Sequence, residues 1–181
     1  MYIETERLIL REILPTDETG FFELDSNPEV HTYLGGKPVQ NMEQIRTAIK
    51  NIRQQYIENG IGRIAIIDKN TNAFIGWTGL KLVREPINNH IHFYDLGYRL
   101  IEKYWGKGIA TETTIATLKY AFDILNLEEI VGMCDTRNTG SANVLEKTGL
   151  QFIETFDLNG IEHNWYKITK REWLKKMNIN F

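Results

Sequence analysis

The chain reads Tyr104-Trp-Gly-Lys-Gly-Ile-Ala-Thr-Glu112 where a predicted strand passes into a predicted helix. Gly106 and Gly108 allow the backbone to turn tightly and to bring its N–H groups close to a ligand. The first turn of the following helix adds unpaired N–H donors and the positive end of the helix dipole, which favour anions. The stretch therefore predicts a loop that binds phosphate.

Two common phosphate loops do not match this spacing. A Walker-type loop needs glycine at position 101 and serine or threonine after Lys107, but the chain has Ile101 and Gly108 there. A dinucleotide-binding loop needs a third glycine at position 111, which is Thr111, and it belongs to a first βαβ unit. Nucleoside triphosphates and dinucleotides are therefore disfavoured as ligands.

The pattern around the loop predicts a mixed α/β or α+β fold, a sheet with helices on both faces. We expect strands over residues 2–13, 61–68, 73–83, 90–101, 129–135, 150–158 and 161–168, the last two joined by an Asn159-Gly160 hairpin turn. Helices are expected over residues 41–58, 108–125, 141–147 and 170–177, with shorter ones after Pro15 and at residues 30–34. In the helix of residues 108–125, the inward side chains are expected to be Ile109, Ala116, Tyr120, Ala121 and Ile124.

Composition places the chain among ordinary globular proteins. Its 181 residues fit one domain over residues 1–181. A net charge of −3 argues against a nucleic-acid partner. Cys134 is the only cysteine, which excludes an internal disulfide and suggests a reducing compartment. No apolar run is long enough for a membrane span and no signal peptide is evident, so we expect a cytoplasmic protein.

Three stretches together resemble the GNAT superfamily of N-acetyltransferases over nearly the whole chain. They are Thr5-Glu-Arg-Leu-Ile-Leu-Arg11, Leu96-Gly-Tyr98 before the glycine loop, and Asn138-Thr-Gly-Ser-Ala-Asn-Val-Leu-Glu-Lys-Thr-Gly-Leu150. The resemblance is greatest to the branch that includes the ribosomal-protein N-terminal acetyltransferases. It implies the acyl-CoA N-acyltransferase fold, with a twisted and largely antiparallel sheet.

The resemblance also implies acetyl-CoA as the donor and assigns residues to it. The loop would bind the pyrophosphate, and the strand before it would offer backbone groups to the acetyl and pantetheine portions. The cofactor-binding residues implied are Tyr98, Arg99, Leu100, Trp105, Gly106, Lys107, Gly108, Ile109, Ala110, Thr111, Asn138, Ser141 and Asn143. Two positions depart from the superfamily pattern. Trp105 stands where Arg or Gln is usual, and Leu145 where a proton-donating Tyr is common.

Acetyl transfer to an amine needs a base, and the departing thiolate benefits from an acid. Asp95 in the central strand is our candidate base, with His90, His92 and Asp135 as other nearby candidates. Asp95 could instead only pair with Arg99 or another neighbour. Ser141 is the candidate acid, although Ser141 and Asn138 also suit purely structural roles in the first turn of a helix.

The leading hypothesis is direct acetyl transfer from acetyl-CoA to a primary amine, with a protein N-terminal amine as the first candidate acceptor. Two alternatives stay open: an N-acetyltransferase of small amines such as polyamines or aminoglycosides, and a catalytically weak CoA-binding sensor or scaffold. We expect no metal, no nucleic acid and no membrane partner. The resemblance also implies a homodimer.

Overall fold

The structure is a computed structural model that describes residues 1–179, so the last two residues of the predicted domain lie outside it. The strands are β1 (Tyr2–Glu4), β2 (Leu8–Glu12), β3 (Arg63–Asp68), β4 (Phe74–Val83), β5 (Phe93–Leu100), β6 (Glu129–Asp135), β7 (Gln151–Leu158) and β8 (Ile161–Thr169). The helices are α1 (Glu18–Asp25), α2 (Met42–Asn59), α3 (Ile109–Asp123), α4 (Thr139–Thr148) and α5 (Lys170–Ile179).

All eight strands join one sheet in the order β1-β2-β3-β4-β5-β6-β8-β7. Each neighbouring pair is antiparallel except β5 and β6, which run parallel. The mixed fold class and the largely antiparallel sheet are therefore confirmed.

The parallel pair β5–β6 opens into a fork. All eight residues of β5 pair with β4, but only Asp95 and Leu96 pair with β6, opposite Val131 and Gly132. Beyond Leu96, residues 97–100 keep their β4 partners on one side and have none on the β6 side. The gap opens at the end of β5 that leads into the glycine loop.

Helices pack on both faces of the sheet, as predicted. On one face α3, α4 and α5 bury a core that includes Leu96, Phe122, Leu145 and Trp173. On the other face α1 and α2 pack on β3 with the side chains Phe21, Ile45, Ile49, Ala65 and Ile67. Because successive side chains of a strand point to opposite faces, Asp95, Gly97 and Arg99 face the α1–α2 side, and Leu96 and Tyr98 face α3 and α4.

The structure corrects several predicted boundaries. The single strand expected over residues 2–13 is two strands, β1 and β2, joined by a turn. The strand expected from His90 begins only at Phe93, so both candidate histidines precede it. The prediction that Ile124 points inward is wrong: α3 ends at Asp123 and the Ile124 side chain is exposed. Threonines at 113, 114 and 117 are buried instead.

Candidate functional site

The glycine loop connects β5 to α3 and has the backbone conformation that glycine favours. Gly106 and Gly108 have φ angles of +71° and +74°. A Cβ added at Gly106 would meet no atom within 4 Å, so the loop has open space in front of it. Gly108 is the N-cap of α3 and supplies no side-chain cap, so the N–H groups of Ile109, Ala110 and Thr111 stay free for an anion. The loop fits the predicted pyrophosphate cradle.

Two other loop residues use their side chains within the protein. The indole Nε1 of Trp105 donates to the carbonyl oxygen of Leu100 at 2.8 Å. This bond explains the departure at position 105, since the indole fastens the loop to the end of β5 rather than binding the anion. The Lys107 ammonium lies 5.4 Å from the centre of the Tyr104 ring.

Asp95 lies at the point where the fork opens and forms an ion pair with Arg63. The guanidinium contacts Asp95 Oδ2 and donates to the Asp95 carbonyl oxygen at 2.8 Å. The other carboxylate oxygen, Oδ1, has no hydrogen-bond partner among residues 1–179. Burial raises the pKa of the Asp95 carboxyl, and the Arg63 guanidinium acts in the opposite direction. One oxygen is held in place and the other is free to accept a proton.

Gly97 leaves the space in which the Arg63 guanidinium lies. A Cβ at Gly97 would be 2.8 Å from Arg63 Nη2, closer than a carbon and a nitrogen can approach. Arg63 is 32 residues from Asp95 and was missed by the sequence analysis, because no local pattern connects a strand-initial arginine with a later strand. Gly97 therefore makes room for the Arg63–Asp95 ion pair.

Arg99 pairs with Asp25 of α1 rather than with Asp95. Its Nη1 donates to Asp25 Oδ1 at 2.7 Å. The Trp77 ring lies next to both arginines, with the guanidinium carbons of Arg63 and Arg99 at 5.3 and 5.1 Å from its centre. This face of the sheet therefore carries two buried or half-buried Arg–Asp pairs joined by one indole.

On the other side of the fork, Asn138 and Ser141 form the first turn of α4. The Asn138 side chain caps the helix by accepting from Ser141 N at 3.0 Å, which confirms its structural role and leaves its amide NH2 free. The Tyr98 hydroxyl donates to the Ser141 carbonyl at 3.0 Å and also lies 3.0 Å from Ser141 Oγ. The cofactor contact predicted for Tyr98 is through its backbone; in the structure its side chain also bridges β5 and α4 across the fork.

The other candidates lie outside this arrangement or are already paired. His90 stacks on Trp165 with ring centres 4.8 Å apart, and His92 is exposed in the loop before β5. The Asp135 carboxylate binds Arg137 Nη2 at 2.5 Å, and this contact lowers its pKa. Asn143 is exposed on α4.

The described part of the chain contains no group of three His, Cys, Asp or Glu residues placed to hold a metal ion. Within the same part, no helix is both long and apolar enough to cross a membrane.

Comparison with known proteins identifies the family. The model for an acetyltransferase (GNAT) domain matches residues 7–151. The chain is 31% identical over 147 residues to the uncharacterized N-acetyltransferase p20 of Bacillus licheniformis, covering 81% of this chain and 80% of p20. It is also 31% identical over 167 residues to an Aspergillus fumigatus protein named FsC-acetyl coenzyme A-N(2)-transacetylase, covering 84% of this chain and 69% of that one.

A solved structure agrees with these matches. The GNAT-family acetyltransferase from Bacillus anthracis superposes with a TM-score of 0.80 at 25% identity, covering 94% of this chain and 99% of that one. The family match spans more than half of the chain and includes β5, the glycine loop and α4. The chain belongs to the GNAT family and is an N-acetyltransferase.

Proposed function

We propose that the chain transfers the acetyl group of acetyl-CoA directly to a primary amine at the β5–β6 fork. The observation that carries the proposal is that the free N–H groups of the glycine loop, Asp95 Oδ1 and Ser141 Oγ all lie around this opening. The pyrophosphate would lie on residues 106–111. The pantetheine arm would run along residues 98–100, within reach of the Asn138 amide NH2.

The chemistry needs one proton to leave the amine and one to reach the thiolate. Asp95 Oδ1 takes the amine proton, directly or through a water, as the N–C bond forms. A backbone N–H of residues 97–100 stabilises the oxyanion, an interaction whose loss elsewhere costs about 10²–10³ in rate. The C–S bond then breaks and the thiolate accepts a proton from Ser141 Oγ. Exchange with solvent afterwards returns a proton to Ser141 and removes the one on Asp95.

Tyr98 supports the acid role of Ser141. Because its hydroxyl donates to the Ser141 carbonyl, it accepts a hydrogen bond from the Ser141 hydroxyl and fixes the Oγ position. Burial raises the pKa of Tyr98, which keeps it protonated at neutral pH. Ser141 thus takes the place of the tyrosine that is missing at Leu145.

A protein N-terminal amine is the acceptor class that we favour. Two acids on the α1–α2 face, Asp25 and Asp95, are each paired with an arginine. A polyamine would need carboxylates to match its several charges, whereas an N-terminal amine carries only one. The second candidate is a small amine; the name of the Aspergillus relative gives a nitrogen, N(2), as the site of transfer.

An acceptor panel tests the proposal. The full chain would be incubated with acetyl-CoA and a short peptide with a free N-terminus, the same peptide with a blocked N-terminus, spermidine or an aminoglycoside. Release of CoA thiol would be followed with 5,5′-dithiobis(nitrobenzoate), and the acetylated position would be found by mass spectrometry. We expect turnover of the free peptide and none of the blocked one.

Two outcomes would contradict parts of this proposal. Turnover of spermidine or the aminoglycoside, with no turnover of the free peptide, would show that the acceptor is a small amine and not a protein N-terminal amine. Binding of CoA with no turnover on any acceptor would favour a sensor or scaffold.

A further inference from the structure

The turn between β1 and β2 reaches across to the first turn of α3. Arg7 Nε donates to Glu112 Oε2 at 2.7 Å, and Thr5 Oγ1 donates to Glu112 Oε1 at 2.5 Å. Arg7 Nη2 also lies 2.5 Å from Glu112 Oε2. These contacts join residues more than 100 positions apart and place the Thr5–Arg7 turn beside the glycine loop.

Arg7 also contacts the loop itself. Its Nη1 donates to the carbonyl oxygen of Lys107 at 3.1 Å. A Cβ added at Gly108 would be 3.8 Å from Arg7 Nη2 and would meet no closer atom. The guanidinium therefore lies against the backbone whose N–H groups face the proposed pyrophosphate site.

Glu112 presents a charge problem for that site. It is the fourth residue of α3 and its side chain is only 20% exposed. Burial alone would raise the pKa of its carboxyl, but the hydrogen bonds from Thr5 and Arg7 outweigh burial and leave the pKa lowered. An ionised carboxylate so close to the anion site would repel a diphosphate unless a cation cancelled it.

We infer that Arg7 is a positioning residue for the diphosphate of the donor: it cancels the Glu112 charge and holds the loop through the Lys107 carbonyl. The inference rests on the proposed function in taking acetyl-CoA as the donor. It implies that Arg7 contributes to the selection of phosphate-bearing donors over S-acetylpantetheine, which has the thioester but no phosphate.

The experiment compares Arg7→Gln, Glu112→Gln and the double variant. CoA affinity would be measured by calorimetry, and kcat/KM for acetyl-CoA and for S-acetylpantetheine by thiol release. We expect Arg7→Gln to weaken CoA binding about fivefold, which corresponds to about 1 kcal/mol, the usual size of the effect of one charge at a helix N-terminus. The double variant should recover to within about twofold, because it has no bare carboxylate. The change for S-acetylpantetheine should be less than about twofold.

Lys69→Gln is the matched control for loosening the same turn. Lys69 donates to the Thr5 carbonyl at 2.7 Å and pairs with Glu4, and neither contact involves Glu112 or the glycine loop. We expect it to leave CoA affinity unchanged. High salt should also shrink the Arg7→Gln effect, since exposed charges are screened within about 3 Å at 1 M salt.

The inference is overturned if Arg7→Gln weakens both donors equally, or if adding Glu112→Gln gives no recovery. Arg7 would then act only on the fold. It is also overturned if the unmodified chain binds CoA and Arg7→Gln binds it equally well. Failure of the unmodified chain to bind CoA would instead contradict the proposed function.

Discussion

At the scale of single residues, the two oxygens of Asp95 differ in their surroundings. Arg63 holds Oδ2, while Oδ1 has no hydrogen-bond partner in the described part of the chain. A carboxylate in this state is fixed in orientation and still able to accept a proton. The ion pair with Arg63 is therefore compatible with the proposed base role.

Asp95→Asn should lower kcat by about a hundredfold or more, since a positioned base contributes about 10²–10⁴. The pH profile makes the test specific. Burial raises the Asp95 pKa, so the acid limb should lie above the ordinary value of about 4. At pH values below the Asp95 pKa, the logarithm of kcat/KM should rise with pH at a slope of two, because Asp95 and the amine must each lose a proton. In Asp95→Asn only the amine loses one, so the slope should be one. Slope two in both proteins would contradict the role.

Cys134 should be unreactive in the folded protein. It is the only cysteine, it is buried, and burial raises its pKa to about 11. At pH 8 only about one thousandth of such a thiol is ionised, and the thiolate is the nucleophile. Titration with 5,5′-dithiobis(nitrobenzoate) should show slow reaction in buffer and one thiol in denaturant. Fast reaction in buffer, absent in Cys134→Ala, would contradict the buried position.

At the scale of elements, the glycine loop and α3 act as one unit. The loop depends on two positive φ angles, and the helix supplies free N–H groups immediately after them. The Trp105 indole joins this unit to the end of β5. Substitutions in this unit should therefore change the KM for acetyl-CoA more than the KM for the acceptor.

Gly106→Asp and Gly106→Asn form a matched pair for this unit. Both side chains tolerate positive φ better than most and fill the same open space, but only Asp adds a negative charge. We expect Asp to raise the KM for acetyl-CoA about tenfold more than Asn, a difference of about 1.4 kcal/mol. Steady-state kinetics at saturating acceptor would measure it. Equal effects of both variants would mean that no anion occupies the loop.

The elements were predictable from local patterns, and the failures also have local causes. The Asn159-Gly160 turn was predicted correctly because this pair favours the positive φ angles that a tight hairpin needs, and both residues have them. The strand over residues 2–13 was predicted without a break because the stretch contains no Gly, Pro, Asn or Asp to mark a turn.

The candidate site was only partly predictable for a different reason. The loop and the α4 cap are local in sequence, so their residues were found. Arg63 and Arg7 act through partners 32 and 105 residues away, and no spacing rule relates such positions. The Tyr98 hydroxyl was missed because its contact with Ser141 depends on how β5 and α4 pack.

At the scale of the whole molecule, α5 completes the core behind the fork. Trp173 is only 2% exposed and its ring centre lies 5.9 Å from that of Phe122 on α3. The same core includes Leu96 of β5, so the closing helix supports the elements that carry the site.

Trp173→Ala should destabilise the protein by about 3–5 kcal/mol, since it removes a buried ring and leaves a cavity. Leu174→Ala is the control on the same helix. Leu174 is 45% exposed, so its substitution should lower the free energy of unfolding by less than about 0.5 kcal/mol. Urea unfolding followed by circular dichroism would measure both. A small loss for Trp173→Ala would mean that α5 is not part of the cooperative unit.

The short register of β5 with β6 has a consequence for hydrogen exchange. In the free protein, those amides of residues 97–100 that point away from β4 have no ladder partner, so they should exchange with solvent quickly even though they lie mid-sheet. The pantetheine arm carries two amide groups that can bond to this exposed edge. Adding CoA should therefore slow exchange at residues 97–100 while the paired strands change little, as though the ligand supplied the missing length of strand.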